Sequence, residues 1–385
     1  MNKVINEYES VFSNWFDSKG AFSFWKGRVA LYAILKALGV DKGDEVILPG
    51  YTCVMDVNPI KYLGAQPVYV DIEPDTFNIN TKLLREKITD NTKVIIAQHT
   101  YGYPCDMDTV MSIAKEKNII VVEDCCLSLG SKYKGKTAGT FGRTAYFSFQ
   151  WNKPFTTGLG GMVITNDSNL AEKIALLREN EMCMPGKKEV LMLAAQLMVY
   201  RAFIYPATTA LAQNLFRFLT KKGCVVGSSS PAEFKPQLDA DFFKGMSSIQ
   251  AKSGLQQMKK LTRNIEHRKH IAKLYDNLLT DKGWNPRVYD KSTIDPVMVR
   301  YPVRIKEKDK ALADAAKAGV ELGSWFECPL HPIETPLKAY DYEIGMCPQA
   351  EKACREVVNL PTHPRVSEKT VKKTVDFITH YTQVP

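Results

Sequence analysis

Metal-site and disulfide signatures are what this chain most clearly lacks. Its six histidines and nine cysteines include no Cys-x-x-Cys pair and no His/Cys spacing suited to zinc. An odd number of scattered cysteines also excludes the disulfide framework of a small secreted domain, and reduced thiols of a cytoplasmic chain are expected. No apolar run follows Met1, so no secretory signal is expected. No Arg/Lys block is interleaved with aromatics, which argues against nucleic acid as a partner. The net charge of +9 leaves small anions or an anionic membrane surface as partners. No uninterrupted apolar stretch reaches the ~20 residues that span a bilayer. Repeats and low-complexity tracts are absent too.

What is present is an ordinary globular composition, 45% hydrophobic and 24% charged, in a 385-residue chain long enough for two domains. Apolar strand-like runs alternate with helical spacing, the pattern of an α/β fold. A helix is expected from Val29 to Leu38, then strands at Glu45–Pro49, Pro67–Asp71, Lys93–His99, Ile119–Val122 and Thr144–Phe149. Nearly continuous apolar runs suit a buried parallel sheet, whose ligands sit beyond the carboxyl ends of the strands. One long helix is expected from Ser247 through Arg268 to Leu279, joining a large domain (1–258) to a smaller α/β domain (259–385). That smaller domain contains Pro302–Ile305, Gly319–Trp325 and a final helix from Ser367 to Thr379. One region departs from the alternation. Residues 189–222 are apolar but interrupted by Arg201 and Pro206, and are bracketed by Lys187-Lys188 and Lys221-Lys222. Two readings stand for it: helices packed on the protein or across a dimer interface, or an interfacial pair meeting anionic lipid.

The chemistry is carried by Val121-Val122-Glu123-Asp124 and by Ser148-Phe149-Gln150-Trp151-Asn152-Lys153 with Gly158, Gly160 and Gly161. A carboxylate ends an apolar strand, and a lone lysine follows in a polar turn. An electron-sink cofactor such as pyridoxal phosphate needs that pair. The carboxylate keeps the pyridine nitrogen protonated, and the lysine holds the aldehyde and moves the proton. Gly27-Arg28 opens a helix whose backbone N–H groups can hold a phosphate, and the Ser148 hydroxyl offers a second donor. His99 ends a strand on the presumed ligand side; a hydrogen-bonded core histidine is the alternative reading. His267 and His270, among Arg263, Arg268 and Lys269, read as a solvated face, and Cys125 and Cys126 as small packed residues.

From Gly27 to Ile378 the chain resembles the fold-type I pyridoxal-phosphate sugar aminotransferases of the DegT/DnrJ class. The pieces, in order, begin with Gly27-Arg28-Val29-Ala30-Leu31, Gly43-Asp44-Glu45-Val46-Ile47, Pro49-Gly50-Tyr51-Thr52 and Gly64-Ala65-Gln66-Pro67-Val68. Val70 to Thr76, Glu123-Asp124, Tyr133-Lys134-Gly135-Lys136, Phe147-Ser148-Phe149 with Lys153, Gly160-Gly161 and Asn359-Leu360-Pro361 complete them. The resemblance implies a large domain with a mixed, mostly parallel sheet and a small C-terminal domain. It implies Lys153 as the Schiff-base lysine, Asp124 as the partner of the pyridine nitrogen, and Ser148 with Gly27-Arg28 around the phosphate. It also implies a homodimer with shared sites, and transfer of an amino group from glutamate to a nucleotide-linked keto sugar. Such enzymes serve surface polysaccharide or secondary-metabolite synthesis, without a metal. Tyr51, His99 and His331 are taken as substrate contacts.

The chain departs from that pattern at several positions. Leu127 stands where the family has a hydrogen-bonding residue near the ring oxygen. Cys53 stands at the stacking aromatic, and Lys26 where a serine precedes the phosphate helix. Gly245 falls at the partner subunit's phosphate contact, with Lys244 its substitute. Pro154 follows Lys153, and Phe155-Thr156-Thr157 replace a glycine- and glutamate-bearing loop. A sugar dehydratase on the same fold would carry histidine in place of Lys153. A non-catalytic scaffold or regulator, docked on a membrane through 189–222, is the other alternative.

Overall fold

Strands that are apolar on both faces need helices on both sides, and the chain supplies them between consecutive strands. The computed structural model describes residues 2–203, 231–285, 289–290, 292–333 and 335–384. In chain order, the first elements are α1 (Lys3–Phe16), β1 (Gly20–Phe24), α2 (Gly27–Ala37), β2 (Glu45–Pro49) and β3 (Thr52–Cys53). They are followed by α3 (Val54–Tyr62), β4 (Gln66–Val70), α4 (Thr81–Lys87), β5 (Thr92–Gln98), α5 (Met107–Lys117) and β6 (Ile120–Asp124). Then come β7 (Lys132–Tyr133), β8 (Lys136–Thr137), β9 (Thr144–Ser148), β10 (Gly161–Thr165), α6 (Ser168–Glu181) and α7 (Lys187–Phe203).

The central sheet has seven strands in the order β1-β10-β9-β6-β5-β2-β4. From β4 to β9 every pairing is parallel, and β10 runs against both of its neighbours. The carboxyl ends of β2, β5, β6 and β9 therefore share one edge. Gln98 ends opposite Asp124, and Asp124 opposite Tyr146. On one face α1 buries Tyr8, Phe12 and Phe16, with Phe12 packed edge-on to Phe147 and Phe149. On the other, α2 is wholly buried from Gly27 to Leu35, and its core runs without interruption into the C-terminal part of the chain.

That C-terminal part contains the antiparallel pair β12 (Arg300–Arg304) and β14 (Val357–Pro361), preceded by β11 (Ile294–Asp295), which pairs with β7. Helices Lys308–Ala318, Pro348–Glu356 and Glu368–Ile378 cover it. Ser367 caps the last by accepting from the Thr370 N–H. The single long helix expected from Ser247 to Leu279 is two helices, Ser248–Met258 and Leu261–Asp281. The first starts on a Ser247/Gln250 capping box. It ends where the Lys260 N–H bonds to Gln257 O and the Lys260 backbone turns to φ −109°, ψ 1°. No glycine or proline marks this break. Two-residue β13 (Leu330–His331) returns to the large sheet's side and pairs with β3, setting His331 opposite Cys53.

Of residues 189–222, α7 covers the first part, and 204–222 lies outside the described residues. Leu193 and Leu197 of α7 are buried with Trp25 and Leu159. The opposite side shows Leu191 at 71% and Met198 at 74% exposure. Among the described residues no helix is long and apolar enough to cross a membrane.

Candidate active site

Residues from the carboxyl edge of the sheet and from the C-terminal part meet around Lys153, and most of the expected residues are placed there. Asp124 is the last residue of β6, buried, and one carboxylate oxygen accepts the Cys126 N–H at 2.8 Å. Lys153 lies in the turn after β9, pinned by its own N–H to Gln150 O at 3.0 Å. Its amine stands 5.4 Å above the ring of Trp325, from the C-terminal part. The Trp325 carbonyl is in turn held by the Tyr101 hydroxyl and by Asn359 Nδ2. Pro154 O accepts from Asn264 Nδ2 at 2.8 Å and from Arg268 Nη2 at 3.1 Å. Arg268 Nη1 also reaches Val299 O and the Thr362 hydroxyl, so a single buried guanidinium ties the lysine turn to the C-terminal sheet. Arg268 was expected on a solvated helix face with His267 and His270. It is buried instead, because every neighbouring acceptor is a carbonyl, amide or hydroxyl oxygen of the interior.

The start of α2 is the candidate phosphate site. The first N–H groups of a helix have no acceptor within the helix. Gly27 sits against Ser148, and a Cβ on it would lie 2.8 Å from Ser148 Cβ. A Cβ on Gly161, which pairs with Ser148, would come closer still to Lys26 O. Only glycines allow strand, helix start and serine hydroxyl to meet so tightly. Lys26 Nζ and Arg28 Nη1 converge on Glu233 at 2.8 and 2.7 Å, so the two cationic side chains beside the helix start are paired with a carboxylate of the same chain. Burial, and then Arg28, lower the pKa of Lys26. Lys244, the expected substitute contact for a partner's phosphate, is bound instead by Glu189 and Asp241 of its own chain.

Cys53 is half-buried, and burial, followed by the neighbouring Asp56, pushes its thiol up to about 11; Lys153 and Arg28 are close enough to pull the other way. Leu127 is buried in the core. His331 is placed at the site, opposite Cys53, with its ring 5.5 Å from that of Phe326.

Two expected substrate contacts are placed elsewhere. Tyr51 is fully buried, and its hydroxyl is shared by the Tyr101 hydroxyl at 2.8 Å and the Phe326 N–H at 3.3 Å. It builds the wall behind Trp325. His99 is fully buried and belongs to the other face of the sheet. Its Nδ1 accepts the Cys105 N–H at 3.0 Å, so the proton on Nε2 goes to Glu123 at 3.1 Å. Successive strand residues point to opposite faces, so a partner of Glu123 is turned away from Asp124. His99, Glu123 and Cys125 lie close enough together for a metal. Yet both imidazole nitrogens are committed to protein hydrogen bonds, and Glu123 also accepts the N–H groups of Gly139, Phe141 and Gly142, each at 2.7 Å.

Sequence reasoning missed Asp56, in the first turn of α3. Tyr146 donates to its Oδ1 at 2.9 Å, and its Oδ2 lies 3.2 Å from the Thr52 hydroxyl oxygen. Burial, then the charge of Asp124, raise its pKa to about 7, with Lys153 opposing. A lone carboxylate in the apolar stretch Val54–Ile60 was the one signal in the sequence.

A parallel sheet with an anion-receiving helix start, a strand-end carboxylate and a lysine in the next turn is the architecture of a pyridoxal-phosphate-dependent transaminase. The comparisons agree. The chain matches the DegT/DnrJ/EryC1/StrS aminotransferase family over residues 1–195 and 212–379, and it belongs to that family. A GDP-perosamine synthase of Caulobacter vibrioides is 31% identical over 385 aligned residues, covering 97% of this chain and 89% of that protein. One from Escherichia coli O157:H7 is 46% identical over 169 residues, which span 44% of this chain and 46% of that one. The pyridoxal-phosphate form of the putative sugar aminotransferase Spr1654 from Streptococcus pneumoniae shares the fold, with a TM-score of 0.77 at 23% identity, covering 99% of this chain and 91% of that one. The protein is a pyridoxal-phosphate-dependent aminotransferase.

Proposed function

We propose that this transaminase moves an amino group from glutamate to the ketone of a nucleotide-linked sugar, in the synthesis of a surface polysaccharide or secondary metabolite. It works as a cytoplasmic homodimer, with residues 1–258 holding the cofactor and 259–385 closing over it. The convergence of Asp124, Lys153 and the α2 start on one cleft carries the reading, and the GDP-perosamine synthases among its relatives support the sugar acceptor. Pyridoxal phosphate supplies an aldehyde and an electron sink when bound. Gly27, Arg28 and Ser148 would hold its phosphate, and Cys53 would cover one face of its ring. Asp124 would keep the ring nitrogen protonated. The Lys153 amine would hold the aldehyde, then carry a proton away from the α-carbon of glutamate and later return one to the sugar carbon. Trp325, whose carbonyl is held by Tyr101 and Asn359, would shield one side of that amine.

The test is spectroscopic. Protein reconstituted with cofactor should absorb near ~420 nm, and glutamate should shift that absorbance to near ~330 nm. Lys153→Ala should abolish the shift, and ¹⁵N from labelled glutamate should appear on a nucleotide-linked keto sugar. Failure of the wild-type protein to make the shift would refute the reading.

The exposed side of α7, Leu191, Met198 and Val199, with Lys187 and Lys188 at its start, supports peripheral docking on anionic membranes through 189–222. Co-sedimentation with phosphatidylserine vesicles should then fall to background in Leu191→Glu/Met198→Glu. An unchanged bound fraction would refute the contact.

A further inference from the structure

Two carboxylates serve the cleft, Asp124 and Asp56, and the hydrogen bonds around the second one fix where its proton sits. Their direction can be followed from the interior outward. The Thr100 hydroxyl donates to Phe77 O at 3.0 Å, so its oxygen is free to accept from Gln98 Nε2 at 2.9 Å. The same nitrogen donates to Tyr51 O at 2.9 Å. Both hydrogens of the Gln98 amide are thereby used and its orientation is set, leaving Oε1 to face Thr52. Thr52 donates its one hydroxyl hydrogen to that oxygen at 2.5 Å. The Thr52 oxygen can therefore only accept from Asp56 Oδ2, 3.2 Å away. The other Asp56 oxygen is already an acceptor, for the Tyr146 hydroxyl at 2.9 Å.

We propose that Asp56 stands as a carboxylic acid in the cofactor-free site, its proton on Oδ2 against Thr52, and loses that proton to solvent when the positively charged cofactor ring settles on Asp124. This rests on the assignment of Asp124 and Lys153 to the cofactor. The electrostatics run the same way. Asp56 is half-buried in the cleft, and its pKa stands near 7 because burial and Asp124 both oppose its charge. The groups that act on it most strongly besides burial are Asp124, Lys153, Tyr146 and Thr52. Asp124 on β6 repels its charge, while Lys153 after β9 and the Tyr146 hydroxyl, which donates to Oδ1, favour it; Thr52 on β3 lies against Oδ2. The thiols of Cys53 and Cys126 are raised by burial and by the nearby carboxylates, so both remain neutral at pH 7. A cation arriving at Asp124 cancels the repulsion and adds an attraction, so ionisation of Asp56 becomes favourable. The site then carries two negative charges beneath one positive ring and Lys153, where before it carried one. Asp56 is a positioning residue of the site; it sets the charge that meets the ring and makes cofactor capture depend on pH.

The experiment compares the wild-type chain with Asp56→Asn, whose amide reproduces the protonated acid, donating to Thr52 and accepting from Tyr146. Calorimetry of pyridoxal phosphate binding at pH 6.5, in buffers of different ionisation enthalpy, counts the protons released. The wild-type protein should release up to one more than Asp56→Asn. Its affinity should also rise with pH below 7 by up to tenfold per unit more steeply than that of the variant. Equal counts and parallel slopes would overturn the proposal while leaving cofactor binding intact; a wild-type protein that binds no cofactor overturns both this and the parent reading. Thr52→Val, followed in the cofactor-free protein by carboxyl ¹³C NMR, decides the hydrogen-bond direction without any ligand. Removing an acceptor from a protonated Asp56 lowers its titration midpoint. Removing a donor to an ionised one raises it, and a rise would refute the assignment.

Discussion

Glu123 and Asp124 are adjacent in the chain and separated by the sheet. Glu123 faces α5 and the loop before β9, where three backbone N–H groups and His99 satisfy its carboxylate. Asp124 faces the cleft, with a single backbone donor from Cys126 and, across from it, Asp56 and Lys153. The same functional group is thus fully engaged by the protein on one face and left open for the proposed chemistry on the other, and pleat alternation decides which. A carboxylate with every lone pair committed cannot take on a ligand. One left under-coordinated at the edge of a cleft can, at some cost in stability until the ligand arrives.

The sharpest way to break this contrast is to neutralise each in turn. Asp124→Asn should lower transamination on the order of 10³-fold, because an amide cannot hold the ring nitrogen protonated, with little change in unfolding free energy. Lys153→Ala should cost at least as much. Glu123→Ala should instead strand three backbone donors and His99, destabilising the protein by about 3 kcal/mol or more, as read by urea denaturation. An unstable Asp124→Asn with a stable Glu123→Ala would reverse the assignment of the two faces.

His99 tests the same contrast more gently. On the Glu123 face, His99→Phe should cost about 1–3 kcal/mol of stability for lost hydrogen bonds to the Cys105 N–H and Glu123. The KM for both substrates should stay within twofold of wild type. A tenfold rise in KM would return His99 to the substrate side.

Stability against pH gives a smaller effect. A carboxyl group whose folded pKa is raised binds its proton more tightly in the folded than in the unfolded chain. Its proton therefore favours folding at low pH, and that contribution is lost as pH rises from the unfolded value near ~4 toward 7. Wild-type stability relative to Asp56→Asn should accordingly decline between pH 5 and 8 in the cofactor-free protein. A flat difference would mean that Asp56 does not titrate in that range.

How much of this was legible beforehand follows from the kind of signal each residue leaves. The strands were readable because continuous apolar runs have few other uses, and the five expected strands from Glu45 to Phe149 lie within one or two residues of β2, β4, β5, β6 and β9. Asp124 and Lys153 stood out from their order around a glycine-rich turn, and the fold sets both beside Asp56; the roles proposed for them start from that placement. The direction of His99 was not readable, since a strand-end histidine can point either way and the register that pairs Gln98 with Asp124 is a tertiary fact. Arg268 was hidden for a similar reason. Among Arg263, Lys269 and His270 it looks like one more solvated charge, and only the packing of Pro154 and Val299 around it makes it a clamp. Asp56 lay three residues beyond the noted Cys53, but its importance depends on Tyr146, 90 residues away. The break at Lys260 has no residue-type signature at all.

The least expected effect belongs to α7, where a local packing contrast can be sharpened. One side carries Leu193 and Leu197 into the core, and Tyr200 reaches the lysine turn, its ring 5.1 Å from that of Trp151 and 5.4 Å from the Arg365 guanidinium. Tyr200 falls between the two stretches matched by the family, 1–195 and 212–379. Tyr200→Ala removes one aromatic pair, one cation–π contact and a long hydrogen bond from its hydroxyl to Trp151 O at 3.5 Å, about 2 kcal/mol in sum. If α7 only covers the surface, that is the whole effect, and both kinetic constants stay at their wild-type values. If it shapes the cleft, the loosened Trp151, two residues before Lys153, should raise the KM for the ketone substrate several-fold while the glutamate-driven spectral shift keeps its amplitude. Steady-state kinetics on the two half-reactions separate these cases.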